Sequence, residues 1–233
     1  MALLHVDFFS EVLEKCMNMD VILPQNTTSQ IGMKGNAKAG KYKTVYLLHG
    51  MSDDHTTWQR RTSIERYVSE YGIAVVMPDA GLGFYTDTKY GLPYWTFFSQ
   101  ELPKICREFF PQLSEKREDT LAAGLSMGGY GAWKLGLGAP ETFGAAASMS
   151  GVLDVARRVK EEAADIARKP SGFWEGIFGN PDRIAGSSND LKYLAKKHER
   201  RTETGAKAVA WCGRRIPVSE QSGYVGRNEA ARI

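Results

Sequence analysis

One serine stands between glycines in the stretch TLAAGLSMGGYGAWKLG, which begins at residue 120. Residues 124–128, GLSMG, fit the pattern G-x-S-x-G, which is typical of a sharp turn from a strand into a helix. An apolar, strand-like run precedes the turn, and a helical pattern rich in small residues follows it. A turn whose serine only caps the helix is the alternative. The pattern predicts that Ser126 is the nucleophile of an acyl-transfer reaction.

Acyl transfer also requires hydrogen-bond donors that stabilise the oxyanion as it forms. The backbone N–H of Met127, directly after the serine, is one candidate. The second donor should come from the loop after the apolar run that ends in His49 and Gly50, where Met51 is the natural candidate. Because His49 ends the strand that supplies this donor, we interpret it as a structural residue of the turn rather than as the catalytic base.

Apolar runs alternate with helical patterns along the chain, which predicts an α/β fold with a mostly parallel central sheet and helices on both faces. Strands are predicted at residues 6–12, 19–23, 44–48, 73–77, 120–124, 143–150 and 207–211. Helices are predicted at residues 57–71, 95–110, 128–138, 155–168 and 190–201, with Pro103 as a kink or restart in the second of them. We expect one domain over residues 1–213, with a helical insertion at about 152–205.

The bulk composition is that of one soluble globular domain, with 233 residues, 42% hydrophobic and 24% charged. The net charge of +3 is small, and the basic run at residues 196–201 has acidic neighbours, so no nucleic-acid partner is expected. The three cysteines form no C-x-x-C pair, which argues against a metal site. No segment has the ~20 apolar residues that span a bilayer, so we expect no membrane partner and a cytoplasmic location. Assembly into a homo-oligomer is compatible with the sequence.

Three stretches of the sequence resemble one family: YLLHGMSDDHTTW, GFYTDTKYGLPYWTFFSQELP and AAGLSMGGYGAWKLG. They are similar to the tributyrin esterase branch of the esterase D and S-formylglutathione hydrolase family, over about residues 6–213. The resemblance implies the α/β-hydrolase fold, short-chain acyl esters as the small-molecule substrate, and no cofactor. It also implies Ser126 as nucleophile and the N–H groups of Met51 and Met127 as oxyanion donors. Three aromatic residues would lie near the acyl pocket, with core packing as the alternative for each: Trp58, Tyr85 and Trp95.

The serine needs a base and an acid, which in this fold follow it in the order Ser, Asp or Glu, His. After Ser126 there is only one histidine, His198, in the charged helical stretch LKYLAKKHERR, where we expect it at the surface. His55 lies on the correct edge of the sheet but in the wrong chain order. The acid is expected after the last strand, whereas three aspartates that follow the serine precede that strand: Asp154, Asp182 and Asp190.

The family places its acid just after a strand that ends in WCG, and its histidine beyond one more strand. Here AWCG ends at Gly213, and the following residues RRIPVSEQSGYVGRNEAARI contain neither aspartate nor histidine. Glu220 is the nearest carboxylate. A one-nucleotide shift of the codons for residues 215–232 is compatible with the amphipathic text EFPFQSNRAMWEEMRLRG. We hypothesise a frameshift or truncation after Gly213, with the last strand and helix missing and a disordered tail at 214–233.

The sequence thus predicts a serine carboxylesterase for short acyl groups that forms an acyl-enzyme on Ser126. Turnover should be greatly reduced, because the triad aspartate and histidine are not recognisable. Two alternatives remain: an acyltransferase on the same scaffold, and a catalytically dead remnant that binds acyl ligands.

Overall fold

A computed structural model describes residues 1–29, 31–32, 35–36, 40–163, 172–199 and 207–211. Within these ranges, seven strands form one sheet in the order β1-β2-β4-β3-β5-β6-β7. The strands are β1 Ala2–Ser10, β2 Lys15–Leu23, β3 Thr44–Leu48, β4 Ala74–Pro78, β5 Thr120–Leu125, β6 Ala145–Met149 and β7 Lys207–Trp211. β1 and β2 form an antiparallel hairpin, and β2 is antiparallel to β4. The remaining five strands are parallel, which confirms the mostly parallel sheet.

Helices connect the parallel strands, as right-handed crossovers require. They are α1 Thr57–Arg61, α2 Ile64–Ser69, α3 Tyr94–Thr96, α4 Leu102–Phe109, α5 Met127–Gly138, α6 Val155–Ala163, α7 Phe173–Phe178 and α8 Leu191–Glu199. α6, α7 and α8 all fall between β6 and β7 in the chain. No helix in the described ranges is long and apolar enough to cross a membrane.

The apolar residues of the central strands divide between two core clusters, because successive side chains of a strand point to opposite faces. The first cluster contains Val21, Tyr46 and Val76, and the second contains their chain neighbours Ile22, Leu47 and Val75. α5 packs on the first face through Tyr130 and Trp133. Trp58, Ile64 and Val68 of α1 and α2 pack on the second. The predicted helices on both faces of the sheet are therefore present.

Two predicted helices are interrupted in the structure. The stretch 57–71 forms α1 and α2, because Thr62 is extended, with φ −138° and ψ 171°. The stretch 95–110 contains a π-helical turn, Phe97–Glu101, between α3 and α4. Pro103 sits at the start of α4, where its missing N–H removes least hydrogen bonding. The backbone stays helical from the π-helical turn through Glu101 and Leu102, so the helix continues past Pro103 and the predicted restart does not occur.

The N-terminal strands depart from the predicted residues, whereas the last strand matches them. The two early strands each begin four residues before the predicted ones, and residues 11–12, predicted as strand, belong to the turn between them, in which Glu14 has φ 52°. β7 occurs at the predicted residues. The tail 214–233, with Glu220, lies outside the described residues, so the missing strand and helix, the disorder and the frameshift remain predictions.

Candidate active site

Ser126 occupies the sharp turn between β5 and α5 that the sequence predicts. Its backbone has φ 54° and ψ −111°, a conformation that non-glycine residues seldom adopt. The turn is held by the Ser126 N–H, which donates to Met149 O at 2.9 Å, and by the Tyr130 N–H, which donates to Ser126 O at 3.1 Å. Strained backbone persists only where the surrounding structure fixes it, and such strain clusters at functional sites.

The glycines on either side of Ser126 allow the turn to pack closely. A Cβ added at Gly124 would lie 2.9 Å from Gly128 Cα and closer still to the Gly128 carbonyl. One added at Gly128 would lie 2.6 Å from His49 O and closer still to Leu48 O. Both clashes are with backbone, which cannot move aside cheaply. The glycine spacing in G-x-S-x-G therefore reflects contact between α5, β5 and the end of β3.

The loop after β3 runs directly beside the serine. A Cβ added at Gly50 would lie 3.8 Å from Ser126 Cβ, and the next residue, Met51, lines the same cavity as Ser126. Met127 is the first residue of α5, where N–H groups have no acceptor within the helix. Met51 and Met127 therefore both adjoin the serine, and their role as oxyanion donors stays a prediction.

His49 is buried and fully engaged in the turn after β3. The Ala80 N–H donates to His49 Nε2 at 2.9 Å, so Nε2 acts as an acceptor and the ring proton is on Nδ1. Nδ1 donates this proton to Gly50 O at 2.8 Å. The Tyr85 hydroxyl donates to His49 O at 2.9 Å. These contacts agree with the interpretation of His49 as a structural residue.

A cavity of about 360 Å³ opens over Ser126. Its described lining is apolar except for the serine and one ion pair, and consists of Met51, Phe84, Ser126, Val152, Arg158, Glu162 and Trp174. Phe84 and Trp174 pack edge to face, with ring centroids 5.3 Å apart. Sequence reasoning identified the serine and Met51 but missed the other five lining residues. The aromatic segments around residues 84 and 174 were the available signal for two of them.

The three aromatic residues predicted to lie near the acyl pocket are not among the described lining residues. Trp58 packs in the second core cluster and donates from Nε1 to Leu48 O at 3.1 Å. Tyr85 is fully buried and packs against Gly131, whereas the preceding residue, Phe84, lines the cavity. The Trp95 ring lies on Gly138. All three pack in or against the core, and their position near the acyl pocket stays a prediction.

No histidine with a described side chain forms a hydrogen bond to Ser126 Oγ. His5 contacts Asp20 at the hairpin, and His49 is engaged in its own turn. His55 is half-buried in the loop before α1, and no hydrogen bond joins it to the serine. His198 falls in α8, but its side chain lies outside the described part of the chain, so its surface position stays a prediction.

Three of the aspartates that follow Ser126 are engaged away from it: Asp154, Asp182 and Asp190. Asp154 pairs with Lys192 and with Arg157; burial raises the pKa of Asp154, but these hydrogen bonds outweigh it and hold the pKa below its usual value. Asp182 pairs with Lys160 at 2.9 Å. Asp190 accepts hydrogen bonds from the backbone N–H groups of Gly186 and Lys192. These contacts give each carboxylate a structural role.

Lys134 is a buried cation that sequence reasoning did not single out. Its Nζ donates to Thr86 Oγ1 at 2.7 Å and to Asn189 Oδ1 at 2.6 Å, and lies 4.9 Å from the centre of the Trp95 ring. It therefore joins α5 to the loop that carries Phe84 and to the turn before α8. Burial lowers the pKa of Lys134 to about 7, and the negative charge of Asp87 opposes this shift.

Comparison with known proteins gives one consistent result. Residues 10–203 match the protein family Esterase, described as "Putative esterase". An acetyl esterase of Caldicellulosiruptor saccharolyticus is 29% identical over 217 residues, which cover 92% of this chain and 80% of that protein. The substrate-bound fluorophosphonate-binding serine hydrolase F of Staphylococcus aureus is 31% identical, with a TM-score of 0.76 over 95% of this chain and 82% of that one. An S-formylglutathione hydrolase apoenzyme from the same species is 31% identical, with a TM-score of 0.75 over 95% and 83%.

Proposed function

The chain belongs to the esterase family, and from that premise we propose that it hydrolyses short-chain acyl esters through an acyl-enzyme on Ser126. Its fold is that of the α/β-hydrolases, and it is a serine hydrolase of the carboxylic ester class, like the proteins it resembles. The finer proposal, that it acts as a tributyrin esterase on butyryl esters of glycerol, is supported by the three sequence stretches of that branch.

The proposed reaction begins with attack of Ser126 Oγ on the ester carbonyl carbon. As the new C–O bond forms, the carbonyl π electrons move to oxygen, and the N–H groups of Met51 and Met127 stabilise the resulting oxyanion. Collapse of the tetrahedral intermediate breaks the bond to the alcohol oxygen, and the alcohol leaves with the proton that Ser126 Oγ gives up. Water then attacks the acyl-enzyme in the same manner and releases the carboxylic acid.

One observation carries this proposal: the strained serine, with no hydrogen bond to its hydroxyl among the described residues, lies in the wall of an apolar cavity. A serine that only capped α5 would accept a hydrogen bond from the first turn of the helix, and Ser126 makes no such side-chain cap. A cavity of about 360 Å³ is at the small end of the ligand pockets of proteins, which supports a short acyl group.

We further propose that turnover by these 233 residues is impaired. The proton of Ser126 needs a base, and the histidines with described side chains do not supply one. Losing the base costs several orders of magnitude, whereas oxyanion stabilisation and binding alone still accelerate the reaction roughly 10³–10⁴-fold over water. A slow esterase is therefore the expected phenotype.

The test is hydrolysis of p-nitrophenyl acetate, butyrate and octanoate by the wild type, Ser126→Ala and Ser150→Ala. Ser150 is a matched control, because it also follows a strand end and has φ 50° but does not line the cavity. We expect Ser126→Ala to abolish turnover, Ser150→Ala to retain it, and octanoate to react slowest. Turnover that survives Ser126→Ala would refute the proposal.

The two alternatives are separated by the same assay. Added glycerol that diverts acyl groups from water to glycerol would indicate an acyltransferase, since both activities share the acyl-enzyme. Saturable binding of an acyl ligand without any Ser126-dependent turnover would indicate the catalytically dead remnant.

A further inference from the structure

The cavity over Ser126 carries its only described ion pair on one wall, contributed by α6. Val155 and Val159 of α6 are buried in the first core cluster, which fixes how this helix faces the protein. Arg158 and Glu162, one turn apart, both line the cavity. The other described lining residues besides the serine are apolar, so among the described residues this pair is the polar feature of the cavity away from Ser126.

The guanidinium of Arg158 is the accessible member of the pair. Arg158 and Glu162 form an ion pair in which the arginine side chain is 50% exposed and the glutamate 10% exposed. A guanidinium has five N–H donors, and one carboxylate can engage two of them. Donors of Arg158 therefore remain available to a second acceptor, whereas the Glu162 carboxylate is largely buried.

One further carboxylate near the serine, that of Asp53, lies outside the described lining of the cavity. The Asp53 carboxylate has its Oδ2 3.1 Å from where a Cβ at Gly50 would lie. It pairs with Arg61 at 3.0 Å and is not among the described lining residues. The described charges that line the cavity are therefore those of Arg158 and Glu162, and the arginine is the more exposed of the two.

We propose that Arg158 is a specificity-determining residue that selects esters whose alcohol part carries a carboxylate or another anionic group. This inference rests on the proposed esterase function. The apolar walls formed by Met51, Phe84, Val152 and Trp174 take the acyl chain, and the alcohol part extends along α6 until its anionic group reaches the guanidinium. Arginine suits this task because its planar fork binds carboxylates with two parallel hydrogen bonds.

The test compares kcat/KM for phenyl acetate, which is neutral, and 4-acetoxybenzoate, which carries a carboxylate on the alcohol part. The variants are Arg158→Gln, Arg158→Lys and the matched control Arg157→Gln. Arg157 is the preceding residue of α6, is 72% exposed, and pairs with Asp154 and Glu161 without lining the cavity. Each variant is compared with the wild type on the same substrate, so the different intrinsic reactivities of the two esters do not affect the comparison.

We expect Arg158→Gln to lower kcat/KM for the anionic ester about fivefold, mainly through KM, as is usual for a half-exposed ion pair. It should leave phenyl acetate within about twofold, since that substrate has no group for the arginine. Arg158→Lys should retain part of the preference, and Arg157→Gln should change neither substrate. Equal losses on both esters, or the same loss in Arg157→Gln, would overturn the proposal.

A binding measurement keeps the proposal testable if turnover is too slow. The amide 4-acetamidobenzoate has the same shape and charge but resists hydrolysis, so its Kd can be measured for the wild type and for Arg158→Gln. Weaker binding by the variant supports the proposal, and equal binding refutes it. Phenyl acetate hydrolysis that requires Ser126 but shows no role for Arg158 would refute this inference and leave the esterase function standing. Hydrolysis that does not require Ser126 would refute the esterase function itself.

Discussion

His49 and Ser126 occupy equivalent places in the fold but differ in how their side chains are bonded. Each is the first residue beyond the carboxyl end of its strand, and those strands, β3 and β5, are parallel neighbours. Both ring nitrogens of His49 are hydrogen-bonded to backbone, and the ring is buried. The Ser126 hydroxyl has no partner among the described residues and faces a cavity. At this edge of the sheet, one polar side chain holds the loops together and the other is left free to react.

The comparison depends on backbone contact between the two turns, and Gly128 is where that contact is closest. Gly128→Ala should cause the largest effect, because the new Cβ would lie 2.6 Å from His49 O. We expect a loss of at least about 3 kcal/mol in the free energy of unfolding, together with loss of esterase activity. Chemical denaturation followed by tryptophan fluorescence measures the first quantity.

Gly176→Ala is the matched control for Gly128→Ala. Gly176 lies within α7, and a Cβ there meets nothing within 4 Å. Alanine should stabilise this helix by up to about 1 kcal/mol. If both alanine variants were equally stable, close packing at Gly128 would not be what holds the two turns together.

Removing the two side chains in turn tests the comparison itself. His49→Ala leaves the buried Ala80 N–H without its acceptor and opens a cavity, so we expect a loss of about 2–3 kcal/mol of stability. Ser126→Ala breaks no hydrogen bond among the described residues, so its stability should change by less than about 0.5 kcal/mol while activity disappears. Thermal and urea unfolding of both variants would check this, and the reverse order of stabilities would contradict the division of roles.

Lys134 should make the stability of the protein depend on pH, with a smaller effect than the substitutions above. Its pKa is lowered to about 7 in the folded protein, from an ordinary value of 10.5, so between these values the unfolded chain binds a proton that the folded one does not. Stability should therefore rise with pH, by about 2 kcal/mol from pH 7 to 9. Below pH 7 the cost of burying the charge is fully present.

The rise should be absent in Lys134→Met and retained in Lys104→Met, which removes an exposed lysine on α4. Unfolding free energies at several pH values would measure this. Parallel profiles for the wild type and Lys134→Met would mean that Thr86, Asn189 and the aromatic rings keep the lysine charged throughout.

Local sequence predicted the parts of the molecule that depend on local chemistry. The apolar runs of β3, β4 and β5 and the glycines around Ser126 each indicate their structure within a few residues, because burial and close approach limit which residues fit there. The interpretation of His49 also followed from its position at a strand end.

The cavity walls were harder to predict, because they depend on contacts between distant segments. Arg158 and Trp174 belong to α6 and α7, far from Ser126 in the chain, and nothing in their local pattern separates a cavity face from a solvent face. Trp58, Tyr85 and Trp95 were placed near the pocket because aromatic residues suit either a pocket or a core. Only the packing against Gly131 and Gly138 shows that two of them belong to the core.

The strand order has a consequence for how the protein is made. β3 pairs with β5 through the register Thr44 to Thr120, so the elements that frame Ser126 leave the ribosome well apart in time. At synthesis rates of roughly 5–20 residues per second, β5 emerges about 4–15 seconds after β3. During this interval β4 can pair with one edge of β3, while the other edge stays open and apolar. Until β5 emerges, the nascent chain therefore exposes an apolar strand edge that can pair with another chain, and a chaperone that shields β3 should raise the yield of folded enzyme.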